Sequence, residues 1–195
     1  MSKGEKMLIC ITGKIGCGKS TILKQYKRLG YKTLEMDKYI HSIYKSNKIG
    51  YKLIKEKFGQ KYVNDKEVNR KKLGQLVFKS KKQLDKLNAI TLPLIKNKIL
   101  SFKKLKGIIF IELGIYIKHA KYFSNCFDLI ILVKGKQDQI NKKINKLSWN
   151  GTTLLVNGKN KLSKKTKLII FDNTIPLKQQ CSVVKKTINL IKKYI

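Results

Sequence analysis

Short runs of consecutive apolar and β-branched residues alternate along the chain with longer stretches whose apolar positions recur every three or four residues. The short runs predict strands at 7–12, 32–36, 107–111, 129–133 and 168–171. The longer stretches predict helices at 19–29, closed by Gly30, at 38–58, at 70–101 with an interruption at Pro93, at 138–144 and at 181–193. Strands that are apolar on both sides need cover on both sides. The alternation therefore predicts an α/β fold with a parallel five-stranded sheet between helices. Two stretches interrupt it. Residues 38–101 are helical in pattern throughout, and residues 145–166 are polar, with two glycines and several Asn, Ser and Thr, a composition suited to a cover over a site.

Composition changes this picture little. A chain of 195 residues, 42% hydrophobic, is long enough for one well-buried core and is expected to form a single domain over 1–195. There is no apolar run of membrane-spanning length and no cleavable leader pattern, so no membrane association and a cytoplasmic location are expected. The four cysteines, Cys10, Cys17, Cys126 and Cys181, are far apart and lack metal-site spacing, which reads as reduced thiols. The net charge of +34 raises a nucleic-acid partner. The basic residues, however, are almost all lysines spread along the chain, with only Arg28 and Arg70 as arginines. Base readout and planar phosphate recognition favour arginine. The charge reads as compositional drift, and specific nucleic-acid binding is not expected.

Candidate chemistry begins behind the first strand, in "ITGKIGCGKST". Gly13, Gly18, Lys19 and Ser20 fit the pattern G-x4-G-K-[ST]. Glycines let backbone N–H groups curl around phosphate oxygens. The following helix aims its positive end at the same anion, Lys19 reaches the outer phosphates, and the Ser20 hydroxyl binds Mg²⁺. A strand before and a helix after the motif supply the context it needs, so ATP or GTP is the expected ligand. Cys17, at the helix N-terminus beside Lys19, reads either as a low-pKa thiol or as a small residue filling the loop. Glu35, Asp37, Glu112 and Asp172 all fall at predicted strand ends, in a chain with only 11 acidic residues. Carboxyl ends of parallel strands converge on the ligand crevice. Asp37 there can orient Mg²⁺ or take a proton from an attacking hydroxyl, or it can cap the next helix. Glu112 reads either as a Mg²⁺-ordering acid or as a solvated carboxylate.

The loop, "LGYKTLEMDKYI", "FGQKYVNDKEVNRKKLGQLVF" and "LIIFDN", in this order and spacing, resemble the dephospho-coenzyme A kinase family, whose members phosphorylate the ribose 3′-hydroxyl of dephospho-coenzyme A. The resemblance implies a P-loop kinase fold of the nucleoside-phosphate-kinase type, with ATP and dephospho-coenzyme A as substrates and Mg²⁺ as cofactor. It implies that Asp37 is the general base, that Arg70 contacts substrate phosphate, and that Gly16, Cys17, Gly18, Lys19, Ser20 and Thr21 form the ATP-binding core. It further implies a substrate-covering helical region at about 38–101 and a lid at about 142–166. The chain departs from the family pattern at four places. His41 and Leu92 stand where the family carries Arg and His, Lys142 and Lys146 replace lid arginines, and the stretch after the third strand reads Glu112-Leu-Gly-Ile-Tyr116. Lys142 is expected to reach ATP, and His41 the acceptor. Trp149 falls in the lid, and His119 is assigned no chemistry. Two competing readings are another small-molecule or nucleotide P-loop kinase and a basic nucleic-acid-binding ATPase.

Overall fold

The computed structural model describes residues 6–135, 153–155, 168–173 and 177–192. Six strands, β1 (Lys6–Thr12), β2 (Lys32–Glu35), β3 (Gly107–Glu112), β4 (Leu129–Lys134), β5 (Thr153–Leu155) and β6 (Leu168–Asp172), form one sheet in the order β2-β3-β1-β4-β6-β5. Every pairing is parallel. All five expected strands are present. The sixth, β5, adds three residues at the edge, too few and too polar in their surroundings to show in the pattern.

Strand β1 runs through the middle because both of its neighbours take its hydrogen bonds, and Leu8, Ile9, Cys10 and Ile11 are at most 2% exposed. One sheet face carries Ile9, Ile11, Phe110, Ile131, Ile169 and Phe171. It packs against α1 (Lys19–Arg28) through Ile22, Leu23 and Tyr26, and against α7 (Leu177–Lys192) through Val184, Ile188 and Ile191. The 3.6-residue recurrence in both helices is the stripe that meets this face. Tyr26 stacks on Phe110 at 3.8 Å between ring centroids. Truncating Phe110 to Ala would cost about 3–5 kcal/mol. After β3 the chain forms a 3₁₀ turn (Tyr116–His119) and a short α6 (Ala120–Phe123), with Tyr116, Phe123 and Phe127 in ring contact.

The chain divides into two compact units, residues 1–35 with 101–195, and residues 36–100. The second unit has its own core, with Ile43, Tyr44, Tyr51, Ile54, Tyr62, Val68, Leu73, Val77 and Ile90 buried together. It holds α2 (Met36–Ile43), α3 (Ile49–Phe58), α4 (Arg70–Lys79) and most of α5 (Lys81–Phe102). The single helix expected over 38–58 is two. At the break the Ser46 N–H donates to the Lys66 carbonyl (2.7 Å) and the Val68 N–H to the Tyr44 carbonyl (2.9 Å), so backbone groups bond across the unit and not along a helix. The helix expected over 70–101 is broken at Ser80, which is extended and whose hydroxyl accepts from the Gln83 N–H at 3.4 Å. Pro93, the expected interruption, sits inside α5. It and Ala89, four residues before it, are both exposed, so the carbonyl that proline leaves without an N–H partner belongs to a solvent-facing residue. The helix expected over 138–144 lies outside the described residues.

Candidate functional site

The loop is packed against the ends of two neighbouring strands, β4 and β6. Gly13 adopts φ +151°, and a Cβ there would run into the Val133 carbonyl and come within 2.7 Å of the Cys17 sulfur. Gly18 is left-handed at φ +91°, and its Cβ would strike the Asn173 side-chain amide. Only glycine satisfies both the dihedral and the space at these positions. Between them Lys14, Ile15 and Gly16 are exposed.

Helix α1 starts where the loop ends, and its first internal bond runs from the Ile22 N–H to the Gly18 carbonyl at 3.1 Å. The earlier N–H groups, those of Lys19, Ser20 and Thr21, have no partner within the helix and lie at the positive end of its dipole. The Lys19 ammonium donates to the Lys14 carbonyl at 2.7 Å, which holds it over the loop. The Ser20 hydroxyl donates to Glu112 Oε1 at 3.2 Å. Glu112, half-buried, is the last residue of β3 and pairs in register with Glu35, the last of β2. The structure thus brings Gly13, Gly16, Cys17, Gly18, Lys19, Ser20, Thr21 and Glu112 to one end of the sheet. A hydroxyl and carboxylates beside a phosphate loop are hard oxygen donors of the kind Mg²⁺ takes together with nucleotide phosphates.

Cys17 is 4% exposed and packs in the core with Ile9, Ile11, Ile22 and Leu23. Of its two readings the structure supports the loop-filling one. Its sulfur lies 4.0 Å from the Lys19 ammonium, but solvent does not reach it.

In the helical unit Asp37 is not a cap. Strand β2 ends at Glu35 and α2 begins at Met36, which leaves Asp37 exposed in the first helical turn, where a carboxylate complements the helix dipole. Arg70 Nη1 lies 2.6 Å from His41 Nε2. A guanidinium only donates, so His41 accepts through Nε2 and carries its proton on Nδ1. Arg70 opens α4 behind the Asn69 cap, whose side chain accepts from the Lys72 N–H at 3.0 Å. A cation in the first turn of a helix opposes the dipole, so its placement there is not explained by helix stability. Leu92 is buried in α5 as an ordinary packing residue. Lys142, Lys146 and Trp149 lie outside the described residues.

One polar residue at the loop was assigned no role by the sequence. Asn173 follows β6 directly, and its side-chain Nδ2 donates to the Cys17 carbonyl at 2.9 Å. It is the last residue of "LIIFDN", a stretch that carries part of the resemblance as a closing strand but gives the amide no chemistry.

The family model for dephospho-CoA kinase matches residues 7–176. The chain belongs to the dephospho-CoA kinase family. The match runs from β1 past Asn173, so it includes the loop, Asp37, His41, Arg70 and Glu112. The dephospho-CoA kinase of Mycoplasma genitalium is 35% identical over 138 residues, covering 69% of this chain and 70% of the relative. That of Lactobacillus acidophilus is 31% identical over 171 residues, covering 84% and 86%. Among solved structures, dephospho-CoA kinase from Campylobacter jejuni superposes with a TM-score of 0.63 at 25% identity, over 95% of this chain and 97% of that one.

Proposed function

We infer that this chain transfers the γ-phosphate of ATP to the ribose 3′-hydroxyl of dephospho-coenzyme A, the last step of coenzyme A synthesis. The observation that carries the reading is a glycine-gated phosphate loop with Lys19 above it and the Ser20–Glu112 contact beside it, in a chain of this family. The backbone N–H groups from Gly16 to Thr21 bind the phosphates, and Lys19 offsets the charge that develops on them. Asp37 takes the proton of the attacking hydroxyl as the new oxygen–phosphorus bond forms. The bond between the γ-phosphorus and its bridging oxygen breaks, and ADP leaves. Arg70, with His41 beside it, binds phosphate of the acceptor.

Ser20 and Glu112, with Glu35 paired in register, fit a Mg²⁺ ion, which Ser20 and Glu112 would hold. When bound, the ion neutralises charge on the β- and γ-phosphate oxygens. No helix among the described residues is long and apolar enough to cross a membrane. The four cysteines, far apart in sequence and without metal-site spacing, support a location in the reducing cytoplasm.

An ADP-release assay with dephospho-coenzyme A, adenosine, AMP and RNA offered separately tests the reading. Release stimulated by dephospho-coenzyme A alone is the expected result. Stimulation by AMP or adenosine instead would indicate another nucleotide or nucleoside kinase, and stimulation by RNA alone would overturn the kinase reading.

A further inference from the structure

We propose that Asn173 is a positioning residue for the phosphates of ATP, acting through the Cys17–Gly18 peptide. This rests on the reading that the loop holds those phosphates. Asn173 is anchored at both ends. Its backbone N–H donates to the Lys134 carbonyl at the end of β4 (2.8 Å), and its side-chain Nδ2 donates to the Cys17 carbonyl (2.9 Å). The side chain lies so close against the loop that a Cβ at Gly18 would collide with it.

The Cys17 carbonyl and the Gly18 N–H belong to one planar trans peptide, and the two groups point in opposite directions. Holding the carbonyl toward Asn173 turns the Gly18 N–H to the other side of the loop. Gly18 is left-handed (φ +91°, ψ +17°) and Lys19 opens the helix, so their successive N–H groups form the kind of backbone concavity that binds anions. Asn173 sets the tilt of the first member of that concavity without touching the nucleotide.

A residue present only to fill space would not be an amide here. Asn173 Oδ1 is buried and has no hydrogen-bond partner among the described residues. A buried, unpartnered acceptor is unfavourable. The fold accepts it in order to place a single N–H on the Cys17 carbonyl.

The test uses the full chain with Asn173→Ala and Asn173→Asp, and Lys19→Ala as control. KM for ATP, KM for dephospho-coenzyme A and kcat are measured from about pH 3.5 to pH 8, with melting curves alongside. Asn173→Ala should raise KM for ATP by about 3- to 10-fold, the loss of one neutral hydrogen bond, and leave KM for dephospho-coenzyme A within about twofold. Asn173→Asp places a carboxylate oxygen against the Cys17 carbonyl oxygen and should be worse near neutrality. It should recover as the pH falls through the carboxylate range, because the protonated acid donates an O–H to that carbonyl. A merely structural role predicts lowered melting temperatures with no recovery.

If Asn173→Asp does not fold, calorimetric titration of the alanine variant with ADP decides the matter. Parent-like ADP affinity in Asn173→Ala, or an aspartate variant whose KM for ATP follows the parent at every pH, overturns the proposal. If Lys19→Ala also binds ADP like the parent, the loop reading itself fails. If only Lys19→Ala loses binding, the loop reading stands and Asn173 is excluded.

Discussion

On the proposed function, the two units of the chain meet phosphate in different ways. In the sheet unit the binding surface is backbone. Gly13 and Gly18 are held by the ends of β4 and β6, and the first N–H groups of α1 complete the surface. In the helical unit the candidate surface is made of side chains, with Arg70 at the start of α4 hydrogen-bonded to His41 on α2. A backbone surface depends on a few residues that cannot change, because the dihedrals and spaces that shape it admit only glycine. A side-chain surface depends on charge and reach, and it survives exchange of one cation for another. That contrast accounts for a loop pattern that is intact in this lysine-rich chain while His41 stands where the resemblance expects an arginine.

The contrast can be broken first at Asp37, where a single side chain is assigned chemistry. Asp37→Asn should lower kcat by roughly 100- to 10,000-fold while ADP affinity stays near that of the parent. Steady-state kinetics with calorimetry checks this. Turnover within about threefold of the parent would reduce Asp37 to a carboxylate that favours the start of α2.

Gly18→Ala tests the backbone surface. The left-handed dihedral costs a non-glycine residue about 1–3 kcal/mol, and the new Cβ pushes on Asn173. ADP affinity should fall about 10- to 100-fold in calorimetric titration. An unchanged affinity would show that the loop reshapes freely, contrary to the packing described for it.

Arg70→Ala tests the side-chain surface. It should raise KM for dephospho-coenzyme A by about tenfold, as for a charge-assisted hydrogen bond, and leave KM for ATP unchanged. Arg70→Lys should recover part of the loss, since it keeps the charge and gives up the planar fork. His41→Arg should move KM for dephospho-coenzyme A the other way, by about two- to threefold, because it adds a donor beside Arg70. A rise in KM for ATP in the Arg70 variants would reassign that residue to the nucleotide.

How legible each part was follows from what encodes it. Strands β1, β3, β4 and β6 showed because buried parallel strands need unbroken apolar runs, and the loop showed because its glycines are dictated by local geometry. Helix ends in the second unit did not show. The break near Asn47 comes from bonds between residues 44–46 and 66–68, about twenty positions apart, and no local pattern contains them. Pro93 misled because its cost depends on whether the residue four back faces water, which only the packed helix reveals. The His41–Arg70 contact joins residues 29 positions apart, and both were marked by resemblance alone. Asn173 lies 156 positions from the carbonyl it holds. A lone amide after a strand carries no periodicity, so topology alone brings it to the loop.

The smallest expected effect concerns Cys17, where a side chain sits inside the backbone-built region. Its sulfur lies at the start of α1, 4.0 Å from the Lys19 ammonium. Nucleophilicity needs access, and Cys17 is 4% exposed within the core cluster. Cys10 is equally closed, and burial pushes its thiol up. Cys126 is buried as well, and Cys181 alone among the four is partly open. A small thiol reagent should therefore modify Cys181 first and reach Cys10, Cys17 and Cys126 only as the fold opens. ATP should slow the reaction of these three together by stabilising the folded state. Peptide mass spectrometry over a labelling time course reads this directly. What Cys17 gives the loop is its carbonyl, which Asn173 holds whatever the side chain is. Cys17→Ala should thus cost about 1 kcal/mol of stability, for one small buried group, and leave KM for ATP within about twofold. Modification of Cys17 at the rate of Cys181, or a large rise in KM for ATP in the alanine variant, would mean that the sulfur, and not the backbone around it, faces the phosphates.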